Sequence, residues 1–474
     1  MSNSTSQFGA SPDPKGTFRD SVATIDNDGS RHYIHPKKPK GKLYNRRTMF
    51  SVFYLTLFLL IPFIKWQGEP LLMLNVLERK FIIFGMIFWP QDFFIFGIAM
   101  LTFVVFITLF TVAFGRIFCG WACPQTIFME MVFRKIEYLI DGDSTKQQQL
   151  RKMPWNKEKI FKRILKFKVF WILSFIIANY FTAYLTGMDN VISYYKAPGE
   201  HVKNFVSLAV FTTVFFFVYY WFREQACIVV CPYGRLQGVL LDKNTIIVAY
   251  DKVRGEPRGK GPLAEGQSHG DCIDCKACVR VCPTGIDIRN GTQMECVNCT
   301  ACIDACNEIM HSIDKPEGLI RYASENSITK GKPLKYNARL KGYTAVLTVL
   351  LALLMTLLFT RSSVDVTLLR VSGLSYQKNA DSTYSNLYNL KLANKTHHDI
   401  KIEVLCEDVE GKIVPVGSSD WIVKQGNYAV MEFFLKLKPN QLKGWKTIVR
   451  LRVNGDGQKL KIVKAKFIGP DVYN

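Results

Sequence analysis

The chain has 474 residues, of which 48% are hydrophobic and 13% aromatic, and its formal net charge is +22. Its apolar residues are concentrated in long uncharged blocks, which excludes an average soluble protein and leaves roughly two to four compact units. The basic residues flank those blocks, so the charge indicates contact with anionic membrane lipid, and nucleic-acid binding is not expected.

Five of the apolar blocks are predicted to cross a membrane as helices, because each approaches the about 20 apolar residues that span the hydrocarbon core. In chain order they are residues 48–64, 93–114, 169–188, 205–222 and 342–360. Buried helices of a large soluble core are the alternative, which five such blocks disfavour. A further apolar run at 81–90 is too short to span, and we expect it to form an extracytoplasmic hairpin or an interfacial segment.

The orientation in the membrane follows from the distribution of Lys and Arg. These residues are concentrated before the first block and between the second and third, and short loops with such an excess stay in the cytoplasm. The N-terminal segment, residues 1–47, is therefore predicted to be cytoplasmic. An odd number of spans then places residues 362–474 outside, since long domains translocate largely regardless of their charge.

A cysteine motif recurs after the second and the fourth block. FCGWACPQT follows the second block and ACIVVCPYG follows the fourth, and both contain Cys-x-x-x-Cys-Pro. The two copies are offset by 108 residues (227 − 119), and each follows a pair of spans. We therefore predict that residues 48–240 form a four-span membrane domain built from a duplicated two-helix unit.

The repeated motif predicts one functional thiol site at the cytoplasmic membrane face. Cysteines at i and i+4 share one side of a helix, and duplication brings equivalent helix ends together. The site would contain Cys119, Cys123, Cys227 and Cys231. Arg116, Arg223 and Arg235 are expected to favour the thiolate. Three uses are open: a centre for copper or a further iron–sulfur cluster, a redox-active dithiol, or thiols packed as small hydrophobes.

Eight further cysteines lie in DCIDCKACVRVCPTG and MECVNCTACIDAC, where C-x-x-C-x-x-C-x-x-x-C occurs twice. Three closely spaced thiolates bind three corners of a [4Fe–4S] cube, and the fourth cysteine ligates the other cluster. This crossed pattern assigns one cluster to Cys272, Cys275, Cys278 and Cys306. It assigns the second cluster to Cys282, Cys296, Cys299 and Cys302. A pair of zinc sites is the alternative, which the doubled spacing disfavours.

The remaining segments complete the predicted architecture. Residues 241–337 are predicted to form a cytoplasmic ferredoxin-like domain, and 338–361 to form the fifth transmembrane helix. Alternating apolar and polar residues from 362 to 474 predict six or seven strands of an immunoglobulin-like sandwich. The spans contain no histidine, so we expect no haem with two axial histidines inside the bilayer.

Together these elements predict a multi-domain membrane protein with a five-helix α transmembrane region that contains a duplicated two-helix unit. A bacterial-type 2[4Fe–4S] ferredoxin domain and a C-terminal immunoglobulin-like β-sandwich complete the fold class.

The sequence resembles one family, the CcoG/FixG/RdxA polyferredoxins, which are accessory proteins of cbb3-type cytochrome c oxidase. The similarity rests on FCGWACPQT, CIVVCPYGRLQG, YDKVRGEPRG, the doubled ferredoxin pattern and the C-terminal sandwich. It implies a bacterial inner-membrane protein with two [4Fe–4S] clusters that supports assembly of the copper-containing oxidase. The activity that the resemblance implies is reduction of Cu(II) to Cu(I).

The resemblance also implies partners and leaves two alternatives. Expected partners are oxidase subunits or copper chaperones, and a cytoplasmic or quinol electron donor. One alternative is a quinol-linked polyferredoxin such as those of periplasmic nitrate and nitrous-oxide reduction, although this chain has a sandwich where those proteins have a flavin-binding outer domain. The other is a non-catalytic assembly scaffold with structural clusters, which need not reduce any acceptor.

Overall fold

The structure is a computed structural model that describes residues 24–25, 30–259, 269–331, 337–371, 373, 376–417 and 421–470. The chain forms two compact units, and each unit draws on three stretches of the sequence. The first unit contains Met1–Leu60, Met100–Thr182 and Ile192–Ala352. The second unit contains Ile61–Ala99, Ala183–Val191 and Leu353–Asn474.

Most of the first unit is helical. In chain order, the α-helices of the described residues are α1 (Lys42–Leu60), α2 (Phe93–Phe114), α3 (Ile117–Trp121), α4 (Pro124–Thr126), α5 (Arg134–Ile140), α6 (Ser144–Lys152), α7 (Lys157–Thr186), α8 (Met188–Lys196), α9 (Val202–Phe217), α10 (Pro232–Leu240), α11 (Lys252–Gly255), α12 (Ala277–Arg280), α13 (Ala301–Ser312), α14 (Glu325–Lys330) and α15 (Ala338–Phe359). Segments of π-helix cover Ile127–Phe133, Val218–Phe222 and Ala226–Val230. Short 3₁₀ turns cover Ile61–Phe63, Pro90–Asp92, Ile288–Asn290 and Pro439–Gln441.

Within the described residues, five helical segments are long and apolar enough to cross a membrane, as predicted. They are Lys42–Phe63, Phe93–Phe114, Lys157–Thr186, Val202–Phe222 and Ala338–Phe359. Large apolar side chains on them are exposed, including Phe93 (74%), Phe103 (53%) and Val349 (67%). Surfaces of this kind are stable in lipid and not in water, so the chain is a multi-pass membrane protein.

The third span is longer than its apolar block. Helix α7 begins at Lys157, well before the predicted start at residue 169. Lys162 contacts Glu158 at 2.7 Å one turn away, and Lys, Glu, Leu and Arg are good helix formers. Hydropathy predicts only the part of a helix that lies in lipid. The good helix formers before residue 169 extend this helix into the preceding basic loop.

The two halves of the membrane domain share backbone geometry at equivalent positions. Gly115 and Arg223, which follow the second and fourth spans, both have positive φ, at 57° and 53°. Cys123 and Cys231 both have extended backbone (φ −64°, ψ 125° and φ −64°, ψ 110°) and cap the helices α4 and α10. Proline occupies the first position of each helix, where its missing N–H is not needed. The motif therefore starts a new helix in both copies.

The strands of the described residues form small sheets and one sandwich. In chain order they are β1 (Lys65–Trp66), β2 (Glu69–Pro70), β3 (Leu72–Asn75), β4 (Lys80–Ile83), β5 (Met86–Phe88), β6 (Ile247–Tyr250), β7 (Ile320–Ala323), β8 (Val364–Arg370), β9 (Gln377–Lys378), β10 (Tyr384–Asn394), β11 (Ile400–Cys406), β12 (Lys412–Pro415), β13 (Ile422–Val423), β14 (Tyr428–Leu437), β15 (Lys446–Gly455) and β16 (Gln458–Ile468).

The ferredoxin-like region of the first unit has a small core between its cysteine loops. Strands β6 and β7 pair antiparallel, with Ile247 opposite Ala323 and Tyr250 opposite Ile320. Val248 and Ile320 are each 1% exposed and pack with Met310 of α13. Two short strands bury little apolar surface, so the cysteine loops supply most of the remaining interior.

Helix α1 begins against the ferredoxin-like region. Asp304 of α13 accepts hydrogen bonds from the backbone N–H groups of Leu43 (3.2 Å) and Tyr44 (2.7 Å). The first N–H groups of a helix have no intrahelical acceptor, so Asp304 acts as their cap. Gly41 has φ 139° and packs so closely on Asp304 that no Cβ fits there. The first span and the ferredoxin-like region are therefore parts of one unit.

The second unit contains the predicted immunoglobulin-like sandwich. One sheet has the order β12-β14-β10-β8 with β9 beside β10, and the other has the order β13-β11-β15-β16. Alternating side chains of both sheets, including Tyr388, Phe433, Leu451 and Phe467, are 0–1% exposed and form the core. This alternation is the pattern expected where each sheet buries one face.

The short apolar run at 81–90 forms part of a three-stranded sheet, β3-β4-β5, in the second unit. Asp92 follows this sheet and contacts Arg361 and Lys395, each at 2.6 Å. Its side chain is 7% exposed, so these two cations compensate a buried charge. The predicted hairpin is therefore attached to the sandwich by buried ion pairs.

Candidate iron–sulfur sites and the membrane-edge thiols

The two cysteine loops of the ferredoxin-like region repeat one backbone pattern. Asp274 and Lys276, on either side of Cys275, have φ of 52° and 57°. In the second loop, Asn298 and Thr300 have φ of 52° and 65°. Residues other than glycine seldom adopt positive φ, and here they curl the chain twice within three residues. Each loop therefore wraps around a cavity that its cysteines line.

The structure brings the eight cysteines together in the two predicted sets. Cluster site 1 is a cavity with about 350 Å³ of atom-free space, lined by Cys272, Cys275, Cys278 and Cys306. Cluster site 2 is a second cavity of the same size, lined by Cys282, Cys296, Cys299 and Cys302. Cys278 contributes to the walls of both cavities, so the two sites are neighbours.

The residues of both cavities fit a [4Fe–4S] cluster. The remaining walls are largely apolar, with Ile309, Met310 and Leu319 at cluster site 1 and Val248, Ile286 and Ile288 at cluster site 2. In the described ranges, no three Cys, His, Asp or Glu side chains converge as ligands of a single ion. Thiols spaced around a cavity suit a polynuclear cluster better than a zinc ion, which needs four ligands at about 2.0–2.3 Å. A bound cluster supplies one-electron redox chemistry.

Two arginines near cluster site 1 are paired with carboxylates. The side chain of Arg289 is 4% exposed and contacts both Asp287 (2.7 Å) and Asp274. Arg254 pairs with Asp271, which also contacts Lys315 at 3.0 Å. Hydrogen bonds from Arg254 and Lys315 hold the pKa of Asp271 below its ordinary value. The arginines beside this site are therefore neutralised by carboxylates.

The arginines near cluster site 2 have different surroundings. Arg47 is 3% exposed, and its Nε donates to the carbonyl oxygen of Gly120 at 2.7 Å. Arg116 is 4% exposed and donates from Nε to Gln237 Oε1 at 3.2 Å and from Nη1 to the carbonyl oxygen of Met294. The hydrogen-bond acceptors of these two buried cations are neutral groups.

The four membrane-edge cysteines come close to one another in the first unit. Cys119 is buried in α3, and its Sγ donates to Gln237 Oε1 on α10 at 3.0 Å. Cys227 lies in the π-helical segment Ala226–Val230 and interacts electrostatically with Cys119, Cys123 and Cys231. The thiols of the two copies therefore interact with one another. The prediction that each pair lies on one side of a helix is wrong, because Cys123 and Cys231 have extended backbone beyond the segments that carry Cys119 and Cys227.

Two expectations about these thiols are corrected by the structure. Arg223 is not available to stabilise a thiolate, because its guanidinium group donates to both carboxylate oxygens of Glu137, at 3.0 Å and 2.7 Å. Burial raises the pKa of Cys119 to about 11 and that of Cys227 to about 12, and Arg116 only partly opposes this effect at Cys119. Arg116 thus acts in the predicted direction on Cys119, but desolvation is the larger effect and keeps Cys119 and Cys227 as neutral thiols.

A resident copper centre at the four thiols finds no support in the geometry. In the described part of the chain, no three potential ligands converge on one ion position, and this holds for the four membrane-edge thiols as well.

The first cysteine pair lies directly against cluster site 2. Gly120, which follows Cys119, packs on the backbone of Val297 and Asn298, two residues between Cys296 and Cys299. A Cβ at position 120 would lie 2.9 Å from the carbonyl oxygen of Asn298 and closer still to that of Val297. Only glycine allows this approach, so the backbone between Cys119 and Cys123 packs directly on the backbone of the cluster loop.

A buried ion network near the membrane edge was not predicted. Glu137 is 2% exposed and binds Arg223 and also Lys166, whose Nζ is 2.5 Å from Oε1. Arg134, 1% exposed, contacts Glu130 at 3.1 Å and Glu224 at 3.2 Å. Burial opposes ionisation of Glu137, but Arg223 and Lys166 outweigh it and hold the pKa of this carboxyl group well below its ordinary value. The available sequence signal was three glutamates next to apolar segments in otherwise basic loops.

Family models match three parts of the chain. A "4Fe-4S dicluster domain" matches residues 222–325, and a "4Fe-4S binding domain" matches residues 96–142, which include the first cysteine pair. Residues 354–470 match the "IG-like fold at C-terminal of FixG". These matches agree with the cysteine cavities and with the sandwich.

Curated relatives extend the similarity to most of the chain. Protein RdxA of Cereibacter sphaeroides is 32% identical over 392 residues, which cover 80% of this chain and 83% of RdxA. Protein RdxB of the same organism is 33% identical over 397 residues, with the same two shares. The nitrogen fixation protein FixG of Rhizobium meliloti is 34% identical over 304 residues, which cover 62% of this chain and 57% of FixG.

The chain has two neighbouring sites for one-electron cofactors and five membrane spans. This arrangement is suited to passing electrons along the membrane surface. The protein is therefore a membrane iron–sulfur electron-transfer protein. Within that class, the identity and coverage shared with RdxA and RdxB show that the chain belongs to the FixG/RdxA family of polyferredoxins.

Proposed function

We propose that this protein reduces Cu(II) to Cu(I) for assembly of the copper site of cbb3-type cytochrome c oxidase. Electrons enter the ferredoxin-like region from a cytoplasmic or quinol donor and leave through Cys119, Cys123, Cys227 and Cys231. Copper is the substrate and takes up one electron per ion. Oxidase subunits or copper chaperones are the partners that supply the ion or receive it.

The contact between Gly120 and the loop of cluster site 2 is the observation that carries this proposal. Gly120 lies between the cysteines of the first membrane-edge pair, and Val297 and Asn298 lie between two cysteines of the cluster loop. Cluster sites 1 and 2 are neighbours, and the segment that carries Cys119 and Cys123 packs on the loop of cluster site 2 within the same unit, which supports an electron path in this order. A scaffold with structural clusters would not require this approach of the thiols to the cluster loop.

The chemistry of the thiols supports copper as the acceptor. Thiolate sulfur is a soft ligand that prefers Cu(I) to Cu(II), so contact with these thiols favours the reduced ion. The four thiols are partly or fully buried, which suits brief contact with a metal that is then passed on.

The proposed location is the bacterial inner membrane, with the N-terminus and the ferredoxin-like domain in the cytoplasm and the sandwich in the periplasm. The basic loops and the odd number of spans support this orientation. Reporter fusions at the C-terminus test it: alkaline phosphatase should be active there, and activity of a cytoplasmic reporter would contradict the orientation.

Replacing the four membrane-edge cysteines with serine tests the proposed activity. The purified variant should keep the iron and acid-labile sulfide content of the wild type, because the eight other cysteines line the cluster sites. Its rate of Cu(II) reduction, followed with a Cu(I)-specific chelator and a chemical reductant of the clusters, should fall at least tenfold.

The matched control is Cys406→Ser, which changes a half-buried thiol of the sandwich and should reduce copper at the wild-type rate. A quadruple variant with intact clusters and an undiminished rate would show that copper is reduced elsewhere. A wild-type protein that reduces no copper would favour the scaffold.

A further inference from the structure

Arg47 and Arg116 are buried cations that lack carboxylate partners. Within the described ranges, no Asp or Glu oxygen lies within 4.0 Å of either guanidinium group. Arg47 donates to Gly120, and its Nη2 is buried without a hydrogen-bond partner. Arg116 donates to Gln237 and Met294. A buried charge of this kind is costly unless a counter-charge lies nearby.

Both arginines act on cysteines of cluster site 2. Arg116 interacts electrostatically with Cys296, and Arg47 does so with Cys299, where the weaker effect of Glu130 opposes it. The hydrogen bond from Arg116 to Met294 also holds the chain two residues before Cys296. A [4Fe–4S] cluster with four thiolate ligands carries net negative charge, so a cluster bound at this site provides the counter-charge that the two arginines lack.

Cluster site 1 provides an internal comparison. The buried arginine beside it, Arg289, interacts electrostatically with Cys278 but is paired with Asp287 and Asp274. The two carboxylates therefore offset the effect of the positive charge of Arg289 on a cluster at site 1. Lys276, a half-buried lysine, also lines cluster site 1, and among the described residues no carboxylate pairs with it. The two cavities therefore differ in their buried arginines, which are unneutralised at cluster site 2 and neutralised at cluster site 1.

We propose that Arg47 and Arg116 raise the reduction potential of the cluster at site 2 above that of the cluster at site 1. Positive charge in a poorly solvated region stabilises the reduced form, which carries one more negative charge. One electron then passes from site 1, which is oxidised, to site 2, which is reduced, and no bond is made or broken. The loop of site 2 packs against Gly120, which lies between Cys119 and Cys123, so the potential difference directs electrons towards the membrane-edge thiols.

The potential difference is independent of the acceptor, and only its role in delivering electrons to copper rests on the proposed function. Arg47 and Arg116 are positioning residues that act through the cluster ligands. Their effect is therefore a shift in one of two potentials, which a loss of packing alone would not produce.

Redox titration of the full-length protein in detergent, followed by EPR, tests the proposal. The signal of site 2 is assigned by its loss in Cys299→Ser, because Cys299 lines only this cavity. In Arg116→Gln and in Arg47→Gln, the ratio of reduced to oxidised cluster at site 2 should fall about tenfold at a fixed potential, or about 59 mV for one electron. The midpoint of site 1 should stay within error of the wild type.

Charge and structure are separated by Arg116→Lys, which keeps the cation and should keep the wild-type potential more closely than Arg116→Gln. Arg321→Gln removes a half-exposed arginine that is paired with Asp251, and it should move neither potential. If Arg116→Gln loses iron, the test uses Arg47→Gln and Arg116→Lys, provided that their iron content equals that of the wild type.

Two results would overturn the proposal: a wild-type site 2 with the lower potential, or glutamine variants with full iron content and unchanged potentials. The titration contains no copper, so its outcome is distinct from failure of the proposed copper reduction.

Discussion

The protein uses cysteine in two regions of one unit that are built in different ways. The eight cysteines of the ferredoxin-like region surround cavities, and their loops contain residues with positive φ that nothing but the wrapping of a cavity explains. The four membrane-edge cysteines lie in short helical segments or at the caps of helices, near buried ion pairs such as Glu137–Arg223. The first region is shaped for a cofactor, whereas contacts of the protein itself shape the second.

This difference indicates where each region is vulnerable. Removing one ligand from a cofactor site removes the interaction that organises it. In the membrane-edge region, the ions and the close backbone contacts hold the thiols, so substitutions away from the cysteines are expected to have large effects. Three substitutions test this distinction, in order of decreasing expected effect.

The largest effect is expected from Cys282→Ser, which removes a ligand from cluster site 2 although Cys282 is adjacent in sequence to the cysteines of site 1. The EPR signal of site 2 should disappear or change its type, and the iron content should fall by up to half. The signal of site 1 should persist. Loss of the site 1 signal alone would refute the crossed ligand assignment.

Glu137→Gln should cause the next largest effect. It removes the carboxylate that Arg223 and Lys166 share, although Glu224 stays 3.6 Å from Arg223 and Asp141 stays 2.9 Å from Lys166. We therefore expect a cost near the lower end of the about 3–5 kcal/mol of an uncompensated buried charge.

A thermal unfolding experiment in detergent should show a clear decrease in midpoint temperature for Glu137→Gln. Glu158→Gln, which breaks an exposed pair with Lys162, is the control and should leave the midpoint temperature unchanged within error.

The effect of Glu137→Gln should also depend on pH. The pKa of Glu137 is lowered in the folded protein, so its ionised form stabilises the fold above the ordinary glutamate pKa of about 4.3. This stabilisation is lost as the pH falls through the lowered pKa. The difference in midpoint temperature between wild type and variant should therefore be constant near neutral pH and decrease in acid. A difference that stays the same in acid would indicate a steric cause.

Gly120→Ala should have the smallest of the three effects on stability. The new Cβ would collide with the carbonyl oxygens of Val297 and Asn298, and overpacking of this kind costs about 1–3 kcal/mol. The backbones must move apart, so Cu(II) reduction should slow while the iron content stays unchanged. Gly97→Ala is the matched control, because no atom lies within 4 Å of its added Cβ. Equal rates of Cu(II) reduction in Gly120→Ala and Gly97→Ala would show that electron delivery does not require the contact at Gly120.

Much of the fold followed from the sequence because its signals are local. Uncharged apolar blocks identified the five spans, and alternation from residue 362 onward identified the sandwich. The spacing of the eight cysteines predicted the two sets that line the cavities, since the reach of a short peptide loop limits which thiols can face the same cluster. The repeat of Cys-x-x-x-Cys-Pro likewise predicted that four distant thiols come together.

The contacts that organise the membrane-edge region could not be predicted in the same way. Arg223 adopts positive φ and binds Glu137, although its position in sequence suggested a role beside Cys227. Arg47 precedes the first predicted span and gave no sign of its contact with Gly120. These are long-range pairings of charged side chains, and no periodicity or spacing in the sequence encodes them.

The cap that Asp304 provides for helix α1 has a consequence for the order of assembly. Asp304 lies 261 residues after Leu43, so the first span leaves the ribosome and enters the membrane long before its cap exists. Asp304 is also flanked by Cys302 and Cys306, which line different cavities. We therefore expect the delivery of iron and sulfide to be a late maturation step that also completes the N-terminal cap of the first transmembrane helix. Cells starved of iron should contain an inserted but immature protein, with rapid hydrogen exchange at the amides of Leu43 and Tyr44.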